Sequence, residues 1–208
     1  MTGKPLLAND PHLRMAAPNL WYEAHLVTGD GLNVTGVTLP GGPHVVIGHN
    51  DRVAWGYTNG FGDVQDLYLE RFHPDNPHLV EYRDEWEPAQ VIQEQIRVKG
   101  QVEPVVETVI VTRHGPVISG VVEGSEQGLA LRWVALEQPS TIAAAVRGFN
   151  WARSWTDFRE AARYFDIPGQ NVVYADVDGN IGYILTGKVP IRVPGQGTTF
   201  YFSLPERA

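Results

Sequence analysis

The sequence has no cysteine among its 208 residues, which excludes disulfides, a thiolate nucleophile and cysteine-based zinc sites. It also lacks any apolar run near the ~18 residues of a membrane span, so no membrane is expected as a partner. The start, "MTGKPLLAND", has no apolar core of the kind that directs secretion. Positive charge is scarce: 16 Lys and Arg stand against 24 Asp and Glu, for a net charge of −8. A field of that sign repels phosphate, so nucleic acid is not an expected partner, and a soluble surface accounts for the charge. The seven histidines include no pair at a spacing such as H-x-x-x-H. No G-x-S-x-G elbow marks a serine nucleophile, and there is neither a P-loop nor a G-x-G-x-x-G after a strand.

What is present reads as strands. With 43% apolar and 10% aromatic residues the chain can bury a substantial core, and residues 1–208 are expected to form a single domain. Aromatic and β-branched runs bounded by turn residues fall at 20–28, 32–39, 44–48, 52–58, 64–72, 90–99, 104–113, 128–135, 171–176 and 180–186. Gly100-Gln101 and Asp178-Gly179-Asn180 lie between such runs and predict hairpin turns. The polar stretch 73–88, with three prolines, predicts an exposed excursion holding one short strand. Two stretches read as helices. In 139–149 an alanine run follows Ser140 or Thr141 as cap; in 154–165, Ser154 and Asp157 resemble a capping box. Trp155, Phe158, Ala162 and Phe165 recur at helical spacing, which predicts core packing. The order predicts an α+β fold with helices stacked on a large antiparallel sheet.

Residue chemistry alone reaches little further. Asp63 and Asp66 follow Gly60-Phe61-Gly62, where the chain can turn tightly, and with an intervening carbonyl they could face one point. Ca²⁺ takes that mix of carboxylate and backbone oxygen, although from spacing alone two solvated loop acids are the better reading. The run Asp176-Val177-Asp178-Gly179-Asn180 imitates the opening of an EF-hand loop but lacks its later Glu, and a hairpin is the better reading. His12 follows Asn9-Asp10-Pro11, where proline restrains the chain.

Taken together, "GKPLLANDPHL", "PNLWYEAHL", "GVTLPGGPHVVIGHNDRVAWGYTNGFGDVQDLY", "RHGPVI" and "QNVVYADVDGNIGYILTG" resemble the penicillin acylase family. That family takes in cephalosporin and acyl-homoserine-lactone acylases and belongs to the N-terminal-nucleophile hydrolases. The motifs match in order over nearly the whole chain. The resemblance implies a four-layer αββα sandwich and a precursor that cuts itself, so that a catalytic β chain begins with a serine. This serine is the nucleophile and its own α-amino group the base, an amine whose ordinary pKa near ~7.7–8.0 suits the task. Acyl transfer to the serine releases an amine, and water then cleaves the ester.

The same resemblance carries over to particular positions. His12 matches a residue that orients the serine amine or its water. Asn59 matches the position whose backbone N–H donates to the oxyanion. Leu13 and Ile47 match positions lining the acyl pocket; both are aliphatic, so a flat phenylacetyl group is not implied. Asp63, the Gln65 carbonyl and Asp66 match ligands of a structural calcium, whose remaining ligands are expected from the α chain, a residue after 186 and a downstream acid.

The resemblance places the serine upstream of Met1, and the later oxyanion asparagine and its arginine beyond Ala208. The expectation is a catalytic-chain fragment, inactive by itself. Its partners would be a small-molecule amide (a β-lactam or N-acyl amide), an acylase α chain and the remainder of the β chain. Uncovered core surface predicts self-association. Family members are usually exported to the periplasm or outside. The competing expectation is a non-catalytic β-rich binding domain that keeps acylase-like packing.

Overall fold

The computed structural model describes residues 3–122, 128–137 and 139–192, which form two compact units. The first runs to Asp63 and resumes at residue 138; the second is Val64–Glu137.

The first unit is built on a six-stranded antiparallel sheet in the order β1-β2-β3-β4-β13-β14. Its strands are β1 (Tyr22–Val27), β2 (Asn33–Thr38), β3 (Ile47–Asn50), β4 (Val53–Asn59), β13 (Gln170–Asp176) and β14 (Ile181–Leu185). Two helices, α1 (Ile142–Trp151) and α2 (Trp155–Ala162), lie between β4 and β13 in this unit. Alternation along the strands decides what they cover. Trp55 and Tyr57 of β4 and Val172 and Tyr174 of β13 point to one face and join Phe149, Phe158 and Phe165 in the buried core. Phe149 stacks on Phe158 with centroids 4.1 Å apart, and Trp55 packs against both rings. Loss of one such ring costs about 3–5 kcal/mol. On β14, Ile184 packs on the core and Gly182 lies under the Trp155 ring, while Ile181, Tyr183 and Leu185 project from the opposite face, each more than half exposed.

The helices keep their expected places but not every expected cap. Ser154 Oγ accepts from the Asp157 N–H at 3.2 Å, as a capping box predicts, but Asp157 Oδ2 accepts from Arg153 N–H at 3.0 Å, one residue before the N-cap. The cap of α1 is different. Thr141 stands at its N-cap without a side-chain cap bond. Ser140 Oγ accepts from Ile142 N–H at 3.4 Å, and buried Asp166, 25 residues on from Thr141, braces this start by accepting from Thr141 N–H at 2.8 Å and Ser140 Oγ at 3.0 Å. Burial alone would raise the Asp166 pKa, but those bonds and the Ile167 N–H outweigh it and hold the carboxyl below the ordinary range.

Residues 44–46, expected to form a strand, instead bind a helix side chain. Buried Asn150 accepts from Val45 N–H at 2.9 Å and donates back to Val45 O at 2.7 Å, so regular pairing begins only at Ile47. The Asp178-Gly179-Asn180 hairpin forms as predicted, closing Ala175 onto Ile181. Asp176 folds its carboxylate into that turn, accepting from Asp178 N–H, Asn180 N–H, Asn180 Nδ2 and Tyr174 Oη within 3.0 Å. Its oxygens are occupied by the hairpin itself, which is the hairpin reading of this run rather than the EF-hand one.

The second unit contains β5 (Gln65–Glu70), β6 (Phe72–His73), β7 (Asn76–Tyr82), β8 (Glu85–Pro88), β9 (Gln90–Ile96), β10 (Val105–Thr112), β11 (Gly115–Pro116) and β12 (Gly128–Trp133). Here the exposed excursion at 73–88 needs correction: it forms the sheet β6-β7-β8. Its β7–β8 turn places Arg83 and Asp84 at φ 52° and 64°, a left-handed pair without the glycine that usually announces such a hairpin. The "RHGPVI" motif has a structural place in this unit. The Glu70 side chain, only 4% exposed, accepts from Thr112 Oγ1 at 2.5 Å and lies 2.9 Å from His114 Nδ1, while the His114 ring stacks on Tyr68.

Candidate functional site

The N-terminal segment has no strand of its own, yet it is held to the sheet. Asn9 Nδ2 donates to Tyr57 O at 2.9 Å and its Oδ1 accepts from Tyr57 N–H at 3.2 Å, so one side chain imitates a β-ladder rung. Gly56 makes the approach feasible: a Cβ there would stand 2.7 Å from Asn9 side-chain atoms. Lys4 Nζ adds a second tether, donating to Val177 O at 2.7 Å.

His12 follows three residues after that clamp. Its N–H donates to Asp10 O at 2.8 Å, and its imidazole is 89% exposed, with Nδ1 3.6 Å from Asp10 Oδ2. Residues between 10 and 21 line an open cavity of about 360 Å³, among them His12, Leu13, Arg14, Asn19 and Trp21. The Trp21 indole N–H is buried there without a partner among the described residues, a feature that no sequence pattern signalled. Ile47, expected beside Leu13, does not line this cavity; it packs against the helix-side core.

Asn59 ends β4 opposite Gln170. The next residue, Gly60, donates its N–H to Gly169 O at 2.9 Å, which makes 60 and 169 a hydrogen-bonded pair and 59 and 170 a non-bonded one. Antiparallel alternation then turns the Asn59 N–H away from β13, to the side on which Tyr57 N–H meets Asn9. The peptide on the other side of Asn59 is held. Asn171 Nδ2 donates to Asn59 O at 2.9 Å, and Gln170 Nε2 donates to Asn59 Oδ1 at 3.2 Å. Gly60 cannot carry a side chain, since a Cβ would lie 2.9 Å from the Gly169 carbonyl.

The three expected metal ligands fall on both sides of the boundary between units. Asp63 closes the first, where Arg192 Nη1 lies 3.2 Å from its half-exposed carboxylate; Gln65 and Asp66 open β5 of the second. Among the described residues, no group of three or more His, Cys, Asp and Glu side chains is gathered in a way that could hold a metal ion. Nor is any described helix long and apolar enough to cross a membrane.

The chain is 36% identical over 202 residues to the acyl-homoserine lactone acylase QuiP of Pseudomonas fluorescens (strain Pf0-1), covering 94% of this chain and 24% of that one. It is 34% identical over 196 residues to penicillin G acylase of Escherichia coli, covering 92% of this chain and 22% of that one. To the penicillin acylase 2 proenzyme of Pseudomonas sp. (strain SE83) it is 33% identical over 193 residues, covering 92% and 24%. The chain thus spans about a quarter of the length of the curated relatives it matches. In three dimensions it superposes on a thermostable penicillin G acylase from Alcaligenes faecalis with a TM-score of 0.77 and 30% identity, over 86% of this chain and 32% of the other. The fold is that of this acylase, mainly strands with few helices. A family model described as penicillin amidase matches residues 1–203, and with the ordered motifs, the sheet and the relatives all in agreement, the chain belongs to the penicillin amidase family.

Proposed function

We propose that residues 1–208 form part of the catalytic β chain of an amide-hydrolysing acylase whose nucleophilic serine is supplied from outside this stretch. The observation that carries this reading is the direction of the Asn59 N–H. It turns to the side of β4 that holds the N-terminal segment, and that segment carries His12 three residues beyond the Asn9 clamp. A serine upstream of this segment would attack a substrate carbonyl whose developing oxyanion receives the Asn59 N–H. The serine amine takes the hydroxyl proton and passes it to the departing amine; water then hydrolyses the ester, returning the serine. His12, highly exposed toward the cavity at 10–21, is suited to orient that amine or the attacking water. Leu13, half exposed in the same cavity, would meet the acyl chain, while Ile47, packed on the helix-side core, would back the acyl pocket from within the sheet rather than line this cavity.

The substrate class is an N-acyl amide, β-lactam or lactone-derived. Its remaining protein partners are an acylase α chain and the rest of the β chain. Ile181, Tyr183 and Leu185 give a reason: on β14 the face opposite the helices carries three exposed apolar or aromatic side chains, and a second sheet there would complete a four-layer αββα sandwich. Left uncovered, the same face would drive self-association. By this reading the protein works in the periplasm or outside the cell. The oxygen-only donors Asp63, Gln65 O and Asp66 fit calcium in chemistry, with Arg192 as a competing cation on Asp63. Bound calcium would tether the chain just beyond Asn59; no reaction step runs through it.

The test is hydrolysis of N-acyl para-nitroanilides by the assembled, processed protein. Asn59→Pro, which deletes the N–H, is expected to lower kcat by about 10²–10³-fold. Asn59→Ala, which keeps the N–H, should cost no more than about ten-fold. Equal losses in the two variants would remove the backbone role, and a wild-type protein inert toward every acyl amide would remove the enzymatic reading.

A further inference from the structure

The Asn59 peptide is held by a side-chain relay that the acylase reading does not itself require. Asn171 stands on β13 opposite Thr58 of β4 and Leu185 of β14, on the face away from the helices. Its Nδ2 donates to Asn59 O at 2.9 Å and reaches Thr58 Oγ1 at 3.2 Å. Its Oδ1 accepts from Tyr183 Oη at 2.6 Å. Tyr183 sits diagonally across the β13–β14 pair, a distance that an aromatic side chain spans. Asn59 O can only accept, so it takes the amide nitrogen of Asn171 and leaves the amide oxygen to the Tyr183 hydroxyl, which braces it by donating. From the other face, Gln170 Nε2 holds Asn59 Oδ1 at 3.2 Å, and Gly169 O takes the following N–H at 2.9 Å. Asn59 is therefore fixed through its side chain, its carbonyl and the next peptide, while its own N–H is turned off the ladder.

We propose that Asn171, braced by Tyr183, is a positioning residue for Asn59, setting the direction in which that N–H points. This inference rests on the acylase reading for its catalytic consequence, although the orientation of Asn59 does not. Tyr183 is 60% exposed, yet its hydroxyl ends on the Asn171 amide at 2.6 Å. Small displacements of a donor cost far more in rate than in stability, because only the transition state demands the full geometry.

The experiment compares Asn171→Ala and Tyr183→Phe in the assembled, processed enzyme with an N-acyl para-nitroanilide. The control is Thr108→Val, which removes a comparable surface bond to Gln93 in the other unit. Expected is a fall in kcat of about ten-fold or more for Asn171→Ala and about three-fold for Tyr183→Phe, with KM within about two-fold and the control unaffected. Unchanged kcat in both variants of an active wild type overturns the inference. If the wild type hydrolyses no amide, the acylase reading fails first, and amide NMR decides the rest. Both variants should then shift the Asn59 amide resonance and speed its hydrogen exchange; an unmoved resonance overturns the proposal.

Discussion

Asn9 and Tyr57, 48 residues apart, are joined as two strands are: the Asn9 amide gives one hydrogen bond to the Tyr57 backbone and takes one from it, at 2.9 and 3.2 Å. A segment without regular structure is thereby registered against β4 two residues before Asn59. Position along the segment is set by one side chain, and with it the approach of His12.

Replacing Asn9 by Leu should leave the Tyr57 N–H and C=O unpaired and lower unfolding free energy by about 1–3 kcal/mol. Gly56→Ala should cost a similar amount, about 1–3 kcal/mol, by pushing Asn9 away from a wild-type contact. Urea unfolding measures both. Because they break the same contact, the double variant should fall short of the sum; full additivity would show that Gly56 and Asn9 are not coupled.

Asn150 performs the same office for Val45 inside the core, with a further bond from its Nδ2 to Val146 O at 2.9 Å. Asn150→Leu strands a buried N–H and C=O, and we expect a loss of about 2–4 kcal/mol, above that of the part-buried Asn9 clamp. Thermal melting would decide; a loss no larger than for Asn9 would mean that water reaches Val45.

Asp176 should make stability depend on acid. Burial pushes its pKa up, but the Asn180 side chain and N–H, the Tyr174 hydroxyl and the Asp178 N–H together bring it from the ordinary 3.8 to about 2. The folded state therefore prefers the carboxylate. That stabilisation is fully present above pH 3.8 and is lost as pH falls toward about 2. Asp176→Asn should be less stable than wild type at neutral pH, with the gap closing over that acid window. A gap constant from pH 7 down to pH 2 would contradict the assignment.

Calcium binding is open to direct titration by calorimetry. Asp63→Ala should abolish it, and Arg192→Gln should tighten it by removing a competing cation 3.2 Å from the carboxylate. Binding indifferent to Asp63→Ala would take the metal away from this position.

The features legible in the sequence were local ones. Ser154 and Asp157 cap α2 from within four residues, Asp178-Gly179-Asn180 closes its own hairpin, and alternation alone places Trp55, Tyr57, Val172 and Tyr174 in the core. Ordered motifs identified the family. The β7–β8 hairpin was missed because Arg83 and Asp84 adopt the left-handed turn without glycine, and proline hid the strands beside it.

What the tertiary structure alone decided is which polar side chains complete the backbone at a distance. Asn9 on Tyr57, Asn150 on Val45, Asp166 at the start of α1 and Asn171 on Asn59 are all side-chain-to-backbone bonds between residues 25 or more apart. No periodicity or spacing encodes such bonds, since a hydrogen bond requires only that two groups meet, and chain folding brings them together. The direction of the Asn59 N–H is of that kind: an asparagine next to glycine reads as a turn, and only its pairing with β13 turns the donor outward.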